Sequence, residues 1–241
     1  DERLAALGQR HGFRTLRFAE YDFLQPHELP VLAVVSRLDS CQKLLSYWKT
    51  SANIVAHLAV ARFDEAEAAS EYSLCQLLSL DFTAVLERRQ RALEQIMECA
   101  RVELVTAAGV LTCSLNEELE IPNPGDTMEP AWMYSIAEFL EVSMVNLDSE
   151  TSSFQVCGEF AFDGLIHMSS TQELKDRFAP SWRPLQRRAA SGANRITFRD
   201  NRIERLVLGG SDATAELAQI LGDAERGSSV TEWGLGLADF A

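Results

Sequence analysis

The sequence lacks the features that mark several large classes of protein. Its longest apolar stretches, such as residues 29–35, are too short to cross a bilayer. The five cysteines include no Cys-x-x-Cys pair, and the four histidines include no His-x-x-x-His or His-x-Asp pair, so the sequence contains no local zinc motif. The Gly-x-Ser-x-Gly, Walker and Gly-x-Gly-x-x-Gly motifs are also missing, which argues against an α/β-hydrolase, a P-loop enzyme or a dinucleotide-binding enzyme.

Basic residues are scarce relative to acidic ones. The sequence has 22 Lys and Arg against 36 Asp and Glu, and its net charge of −14 predicts no binding to nucleic acid or to an anionic membrane. The cysteines are odd in number and widely spaced, and the N-terminal Asp-Glu-Arg has no signal-peptide character. We therefore interpret the cysteines as reduced residues of a cytoplasmic protein. No initiator Met is present, which is consistent with a piece of a longer chain.

The first half of the sequence predicts an α/β domain. With 241 residues, of which 46% are hydrophobic and 24% charged, the chain is long enough for one large globular domain or two small ones. Residues 30–36 form a continuous apolar run, typical of a buried parallel strand, and Asp39 is placed to cap a helix after it. Residues 82–100 carry apolar side chains at steps of three and four, with Asp81 as the cap. This alternation predicts a doubly wound, Rossmann-like domain over residues 1–100.

The second half, residues 101–241, predicts a mainly β domain of α+β type with one helix near residues 212–222. Hairpins are predicted at 101–114 and at 195–208, where Asp200-Asn201 tolerate a left-handed turn. A strand is predicted at 230–237 and a turn at 122–125, and in the first half a short strand at 15–18. Residues 175–192 are polar and interrupted by proline, which predicts a loop.

Three glutamates are candidate functional groups. Glu232 precedes Trp-Gly-Leu-Gly, and an inward carboxylate at such a strand needs a cation or hydrogen-bond donors around it. The two glycines have a simpler explanation as well, since glycine lets another backbone pass close to a strand. Glu138 and Glu141 would face opposite sides of a strand but share one face of a helix. Both could be solvated carboxylates, although Glu138 lies among apolar neighbours.

Aromatic residues of the second half are the other candidates. Trp132, Tyr134 and Trp233, with Trp182 as a further member, could line a groove for a peptide, since aromatic side chains make large anchors. The alternative is that they belong to the hydrophobic core.

Taken in order, the segments of the second half resemble the metallo-aminopeptidases of the thermophilic type, aminopeptidases T and S. Each segment is short, and it is their order along the chain that carries the resemblance. The first hundred residues fit that family only in outline. The similar segments are the hairpin at 101–114, Pro124-Gly125, residues 136–139, residues 158–164, residues 197–203 with the Gly209-Gly210 exit, and residues 232–236.

The resemblance implies a metal site of which this chain holds only part. In that family two of the matching glutamates are ligands of a two-metal centre, which places them at Glu138 and Glu232, with Glu141 as a second choice for the first position. Two His and an Asp would follow the last strand, but the sequence has no His after His167 and ends at Ala241. Two carboxylates alone would bind a divalent ion such as zinc or cobalt weakly and leave nothing to orient the attacking water. We therefore expect a vestigial site and no cofactor.

The resemblance suggests three functions. The first is a non-catalytic peptide-binding protein that uses an exposed strand edge and apolar pockets to hold a precursor peptide in the biosynthesis of a ribosomal peptide natural product. The second is a metal-dependent aminopeptidase whose remaining ligands lie outside this chain. The third is a structural or oligomerisation subunit. Members of that family tend to be dimers, so a homodimer is expected under the first function too.

Overall fold

The fold is given by a computed structural model that describes residues 2–122, 128–222 and 227–239. Pro124-Gly125 and the end of the turn predicted at 122–125 lie outside those residues. The strands are β1 (Val31–Val34), β2 (Val55–Leu58), β3 (Arg101–Thr106), β4 (Gly109–Leu115), β5 (Met133–Ser135), β6 (Glu141–Val145), β7 (Phe154–Phe162), β8 (Asn194–Arg199), β9 (Arg202–Leu208), β10 (Ser211–Asp212) and β11 (Glu232–Gly236). The helices are α1 (Glu2–Arg10), α2 (Leu38–Leu45), α3 (Glu67–Ser79), α4 (Phe82–Glu98), α5 (Ala137–Leu140), α6 (Gln172–Ala189) and α7 (Thr214–Leu221).

A three-stranded parallel sheet, in the order β1-β2-β5, organises the first half. Helix α2 covers one face, where Cys41 and Leu44 pack with Val55. Helices α1 and α3 cover the other face, where Leu7 and Leu74 are buried. The apolar strand and the α/β architecture predicted for this half are therefore confirmed. The third strand, however, comes from beyond the boundary predicted at residue 100, because β5 pairs with β2.

A six-stranded antiparallel sheet, in the order β10-β9-β8-β7-β4-β3, organises the second half. The strands β6 and β11 form a separate antiparallel pair. The buried residues of α4, the large sheet and this pair form one core, whose fully buried members include Phe154 and Met144. Both predicted hairpins are present, as β3-β4 and β8-β9. Asp200 and Asn201 have φ values of 49° and 63°, which confirms the left-handed turn.

Helix α6 corrects the loop predicted at residues 175–192. Thr171 caps the helix by accepting a hydrogen bond from the Leu174 backbone at 3.2 Å. The helix continues through Pro180 and Pro184 because one of its faces buries Leu185 and Ala189 against β9 and α7. Such tertiary packing can outweigh the cost of an internal proline. Two helices, α6 and α7, therefore cover this end of the sheet, where one was predicted.

Two smaller predictions for the first half are also wrong. Residues 15–18 form no strand; the chain turns there into a short 3₁₀ segment at Phe18–Glu20. Asp39 lies inside the first turn of α2 rather than before it, and the backbone of Leu38 donates instead to the Glu65 carboxylate at 3.0 Å. The cap predicted for α4 is confirmed, since Asp81 accepts from the Ala84 backbone at 3.1 Å.

No helix in the described ranges is both long and apolar enough to span a membrane.

Gly158 has a steric reason to be glycine. Its φ is +119°, and a Cβ at this position would lie 2.2 Å from the carbonyl oxygen of Val110 on the neighbouring strand. The glycine therefore lets β4 and β7 approach closely in the centre of the large sheet.

Candidate functional site

The carboxylates of Glu138, Glu141 and Glu232 come together at the β6-β11 pair. Glu138 lies in the short helix α5, and Glu141 begins β6 directly after it. In the register of the pair, Glu232 lies opposite Val145 and Gly236 lies opposite Glu141. Because side chains alternate along a strand, Glu141 and Glu232 share one face of the pair. The other face carries Trp233 and faces the core.

The glycines of β11 give this face its shape. Gly234 lies opposite Ser143, between Glu232 and Glu141 on the same face. A Cβ on Gly234 would lie 3.5 Å from the Oε2 atom of Glu141. The Glu141 carboxylate therefore lies over a stretch of β11 that has no side chain, so that it leans along the strand toward Glu232.

The surroundings make two of these carboxylates harder to ionise than usual. Burial raises the pKa of Glu138, and Glu232 adds to the rise, while the Ser135 backbone at 3.3 Å and the Arg89 guanidinium oppose it. Burial also raises the pKa of Glu141, with further contributions from Glu232 and Glu138. Glu232 itself is exposed. The group is thus a partly buried acidic cluster whose members repel one another.

Arg89 fixes the corner that brings Glu138 and Glu141 together. Its side chain is buried on α4, and its Nε donates to the carbonyl oxygens of Glu138 at 3.0 Å and of Glu141 at 3.1 Å. Arginine here stabilises the end of α5 and the start of β6 through their backbone. The helical turn at 137–140 is why both glutamates contribute, whereas a continuous strand would have separated them.

The donor set of this cluster does not fit a two-metal centre. Within residues 2–122, 128–222 and 227–239, no group of three or more His, Cys, Asp or Glu side chains is arranged to hold a metal ion. Of the histidines, His57 lies on β2 and His167 stacks on Trp182, so neither joins the carboxylates. A hydrolytic centre needs several anionic or imidazole ligands to bridge two ions. Among the described residues, Glu138 and Glu232 therefore offer a cation carboxylate oxygens without the imidazole ligands of such a centre.

Replacing Glu141 by Gln is expected to raise the melting temperature at neutral pH by about 2 °C. Because the folded state raises the pKa of Glu141, it binds the proton more tightly than the unfolded chain, and stability falls as the pH rises above the ordinary carboxyl range. The gain should therefore be largest near pH 7–8 and vanish near pH 4. Thermal unfolding of both proteins across this range measures it, with the exposed Glu117→Gln as the control. A gain that grew toward low pH would contradict the assignment.

The aromatic candidates occupy different environments. Tyr134 is buried on β5, and its hydroxyl accepts a hydrogen bond from the Glu129 backbone at 2.8 Å. Trp233 is buried in the core that β6, β11 and the large sheet share. Both are core residues in the folded protein, which favours the alternative considered for them. Trp182 is partly buried against the core of α6, α7 and β9, and Trp132, at 47%, is the most exposed member of the predicted set.

Trp132 stacks on a second exposed tryptophan that was not predicted as a site residue. The rings of Trp48 and Trp132 are nearly parallel, with centroids 5.6 Å apart and an interplanar angle of 13°. Trp48 is 48% exposed, and the Lys49 ammonium lies 4.8 Å from the centroid of its ring. The two tryptophans form a flat aromatic surface, which we call the tryptophan pair. Trp48 follows the apolar positions of α2 in sequence, and that signal indicated a helix face rather than a site.

The backbone next to each tryptophan of the pair is strained, and hydrogen bonds join the two loops. Lys49 and Ala131, each next to one tryptophan, have φ values of 66° and 69°, which are unusual for residues other than glycine. The Lys49 backbone donates to Ala131 at 2.8 Å, and the Ala131 backbone donates to Ser51 at 2.9 Å. Strained residues of this kind persist where the surroundings fix them, often at binding sites. The two loops therefore hold the rings in one arrangement.

Comparison with known proteins identifies the family of the chain. Residues 1–240 match the sequence model of a family described as "Crocagin biosynthetic protein CgnE/B". No curated protein matches the chain. No aminopeptidase family matched, and the family that does match is one of natural-product biosynthesis.

Proposed function

Because the chain belongs to the family of crocagin biosynthetic proteins CgnE/B, we propose that it is a non-catalytic protein that binds the crocagin precursor peptide. The family acts in the biosynthesis of crocagin, which is a ribosomal peptide natural product. Such a pathway begins with a genetically encoded peptide that several enzymes must handle. A protein that holds this peptide, and does not itself cut it, would present it to those enzymes.

The observation that carries the proposal is the tryptophan pair. Large aromatic residues that are exposed and held rigidly are typical anchors for a partner, because they bury much apolar area at little entropic cost. One face of Trp48 lies against Trp132 and Lys49 lies over its ring, so the outer face of Trp132 is the surface for a peptide side chain. The neighbouring strand β5 is at the edge of the parallel sheet, which suits an extended peptide.

A second feature that supports peptide binding is the edge strand β11. Its residues Gly234 and Gly236 are exposed and lack side chains, so another backbone could approach closely. The carboxylates of Glu138, Glu141 and Glu232 line the same face, and the net charge of −14 favours basic partners. The acidic cluster would then receive a positively charged group of the peptide instead of a metal ion.

For the homodimer that we also propose, the free edge of β3, where Val105 is 77% exposed, is the natural pairing surface.

Fluorescence anisotropy with the labelled precursor peptide tests the function. We expect saturable binding with a dissociation constant in the micromolar range or tighter. Added salt should weaken this binding, because charge contributes to it. No binding below about 1 mM would contradict the proposal.

Mass spectrometry of the same peptide separates binding from hydrolysis. After incubation with the protein and added zinc or cobalt, the peptide should keep its full mass. Stepwise loss of N-terminal residues, absent in a Glu232→Ala variant, would instead favour the metal-dependent aminopeptidase.

A further inference from the structure

A second polar group lies at the carboxyl ends of β1 and β2, where His57 pairs with Ser135 at the end of β5. His57 is on β2 and faces α2, on the same side as Val55 and Cys41. Arg62 ends a short 3₁₀ turn, Val60–Arg62, that follows β2 and folds back over β1, since the Ala61 backbone donates to Val35 at 3.1 Å. Ligands of open parallel sheets bind in this region, outside the carboxyl ends of the strands.

Two nitrogen atoms of this group are buried without a hydrogen-bond partner. They are the Nδ1 of His57, whose side chain is 9% exposed, and the Nε of half-buried Arg62. Their proximity is reflected in the pKa of His57, which burial lowers and the Arg62 guanidinium lowers further. Arg62 similarly opposes the rise that burial gives the pKa of the Cys41 thiol. Unpartnered buried polar atoms are costly and rare, so each calls for an explanation.

The acidic residues next to Arg62 in sequence are already engaged. Asp64 accepts a hydrogen bond from the Ala66 backbone at 2.9 Å. Glu65 accepts from the Leu38 backbone and forms an ion pair with Lys175. Among the described residues, no carboxylate forms an ion pair with Arg62. A half-buried guanidinium without a counter-charge is a position at which an anion would be stabilising.

The free donor of Arg62 defines the shape of that anion. The Nε and Nη2 of a guanidinium lie on one edge and together match the two oxygens of a carboxylate. In Arg62 the Nη2 donates to the Ser170 hydroxyl at 3.2 Å, while the Nε has no partner. A neutral hydroxyl thus occupies half of an edge that is suited to two oxygens.

We propose that Arg62 and His57 form a carboxylate-binding site, which residues 168–170 cover when no ligand is bound. The ligand would displace the Ser170 hydroxyl and accept hydrogen bonds from both Nε and Nη2 of Arg62. With its proton on Nδ1, His57 would donate a further hydrogen bond to it.

The covering segment is built in a way that allows this exchange. Residues 163–171 form neither helix nor strand, and Ile166 and Met168 expose their side chains. Besides the Ser170 hydroxyl, the segment is held to the turn by the Ser169 backbone, which donates to the Arg62 carbonyl at 2.8 Å. Ser169 is only 2% exposed, so opening the segment costs this hydrogen bond and the burial of Ser169, but it leaves the strands of the sheet paired.

Thermal unfolding in acetate and in chloride at equal ionic strength tests the site. In 100 mM acetate the wild-type protein should melt about 3 °C higher than in chloride, as expected for an anion at several times its dissociation constant. Arg62→Gln should abolish the difference. Arg88→Gln is the matched control, because the Nε of Arg88 is also buried and unpartnered but lies on α4, and it should keep the full difference.

Ser170→Ala keeps the test decisive even if Arg62→Gln does not fold. Removing the competing hydroxyl should enlarge the acetate effect, since the ligand no longer displaces a hydrogen bond. No acetate effect in the wild type, an equal effect in Arg62→Gln, an equal loss in Arg88→Gln, or an unchanged or smaller effect in Ser170→Ala would each overturn the proposal.

A pair of short peptides identifies the source of the carboxylate. Acetylated diglycine with a free carboxyl end should raise the melting temperature as acetate does if the site takes a peptide terminus, and its amidated form should not. A shift with acetate alone would assign the site to a small free carboxylic acid. Because the tryptophan pair plays no part, a Trp132→Ala variant should keep the acetate effect, so failure of this proposal is distinguishable from failure of peptide binding.

Discussion

The variant Trp132→Ala is expected to bind the precursor peptide at least 30-fold more weakly than the wild type. A central aromatic anchor contributes about 2 kcal/mol or more when it is truncated, which corresponds to roughly that factor. The side chain is half exposed and stacks on Trp48, so its loss should leave the melting temperature within about 2 °C of the wild type. Anisotropy titrations and thermal unfolding of the same preparations measure both quantities.

Two further variants show whether this loss is specific. Tyr72→Ala removes an aromatic side chain that is 63% exposed on α3, away from the tryptophan pair, and should bind the peptide as the wild type does. Trp48→Ala removes the ring that supports Trp132 and should give an intermediate loss of affinity. Equal affinity of Trp132→Ala and wild type would mean that the peptide binds elsewhere.

The variant Trp233→Ala is expected to be the most damaging of the changes considered, and its effect should fall on stability. Trp233 packs with Val142, Met144 and other buried residues of the largest core, so truncation removes a large apolar contact and leaves a cavity. Such substitutions cost about 3–5 kcal/mol. For a chain of this length that lowers the melting temperature by roughly 10 °C.

The control for Trp233→Ala lies two residues further along the same strand. Leu235 is partly exposed on β11. Leu235→Ala should lower the free energy of unfolding much less, because this side chain buries less apolar area. If Trp233→Ala melted like the wild type but lost the peptide, the sequence-based assignment of Trp233 to the binding surface would be restored. The Trp132 and Trp233 variants together therefore separate an anchor from a core residue.

Regular, strongly periodic elements were predictable from the sequence, and those that depend on distant partners were not. Helix α4 and the hairpins β3-β4 and β8-β9 follow from local periodicity, capping and turn residues. Helix α6 was missed because Pro180 and Pro184 outweighed a weaker signal. Apolar side chains recur within that helix at steps of four and three, at Phe178, Trp182, Leu185 and Ala189.

The candidate site shows the same division. The motif order brought Glu138 and Glu232 into consideration, and the fold places them within electrostatic range of each other. Whether Glu141 joins them depends on the single helical turn of α5, which four residues cannot specify locally. The separation of Trp132 from Trp233 depends on which face of β11 meets the large sheet, and only long-range strand pairing decides that.

The origin of β5 sets a condition on how the polypeptide can be divided or synthesised. The first two strands of the parallel sheet are complete by residue 58, but the third arrives only with residues 133–135. A fragment ending at residue 100 would leave the outer edge of β2 bare, with an apolar row ready to pair with another chain. On the ribosome, the N-terminal layer likewise waits for about 75 further residues before it can close. Dissection into separately expressed pieces should therefore keep residues 2–135 together.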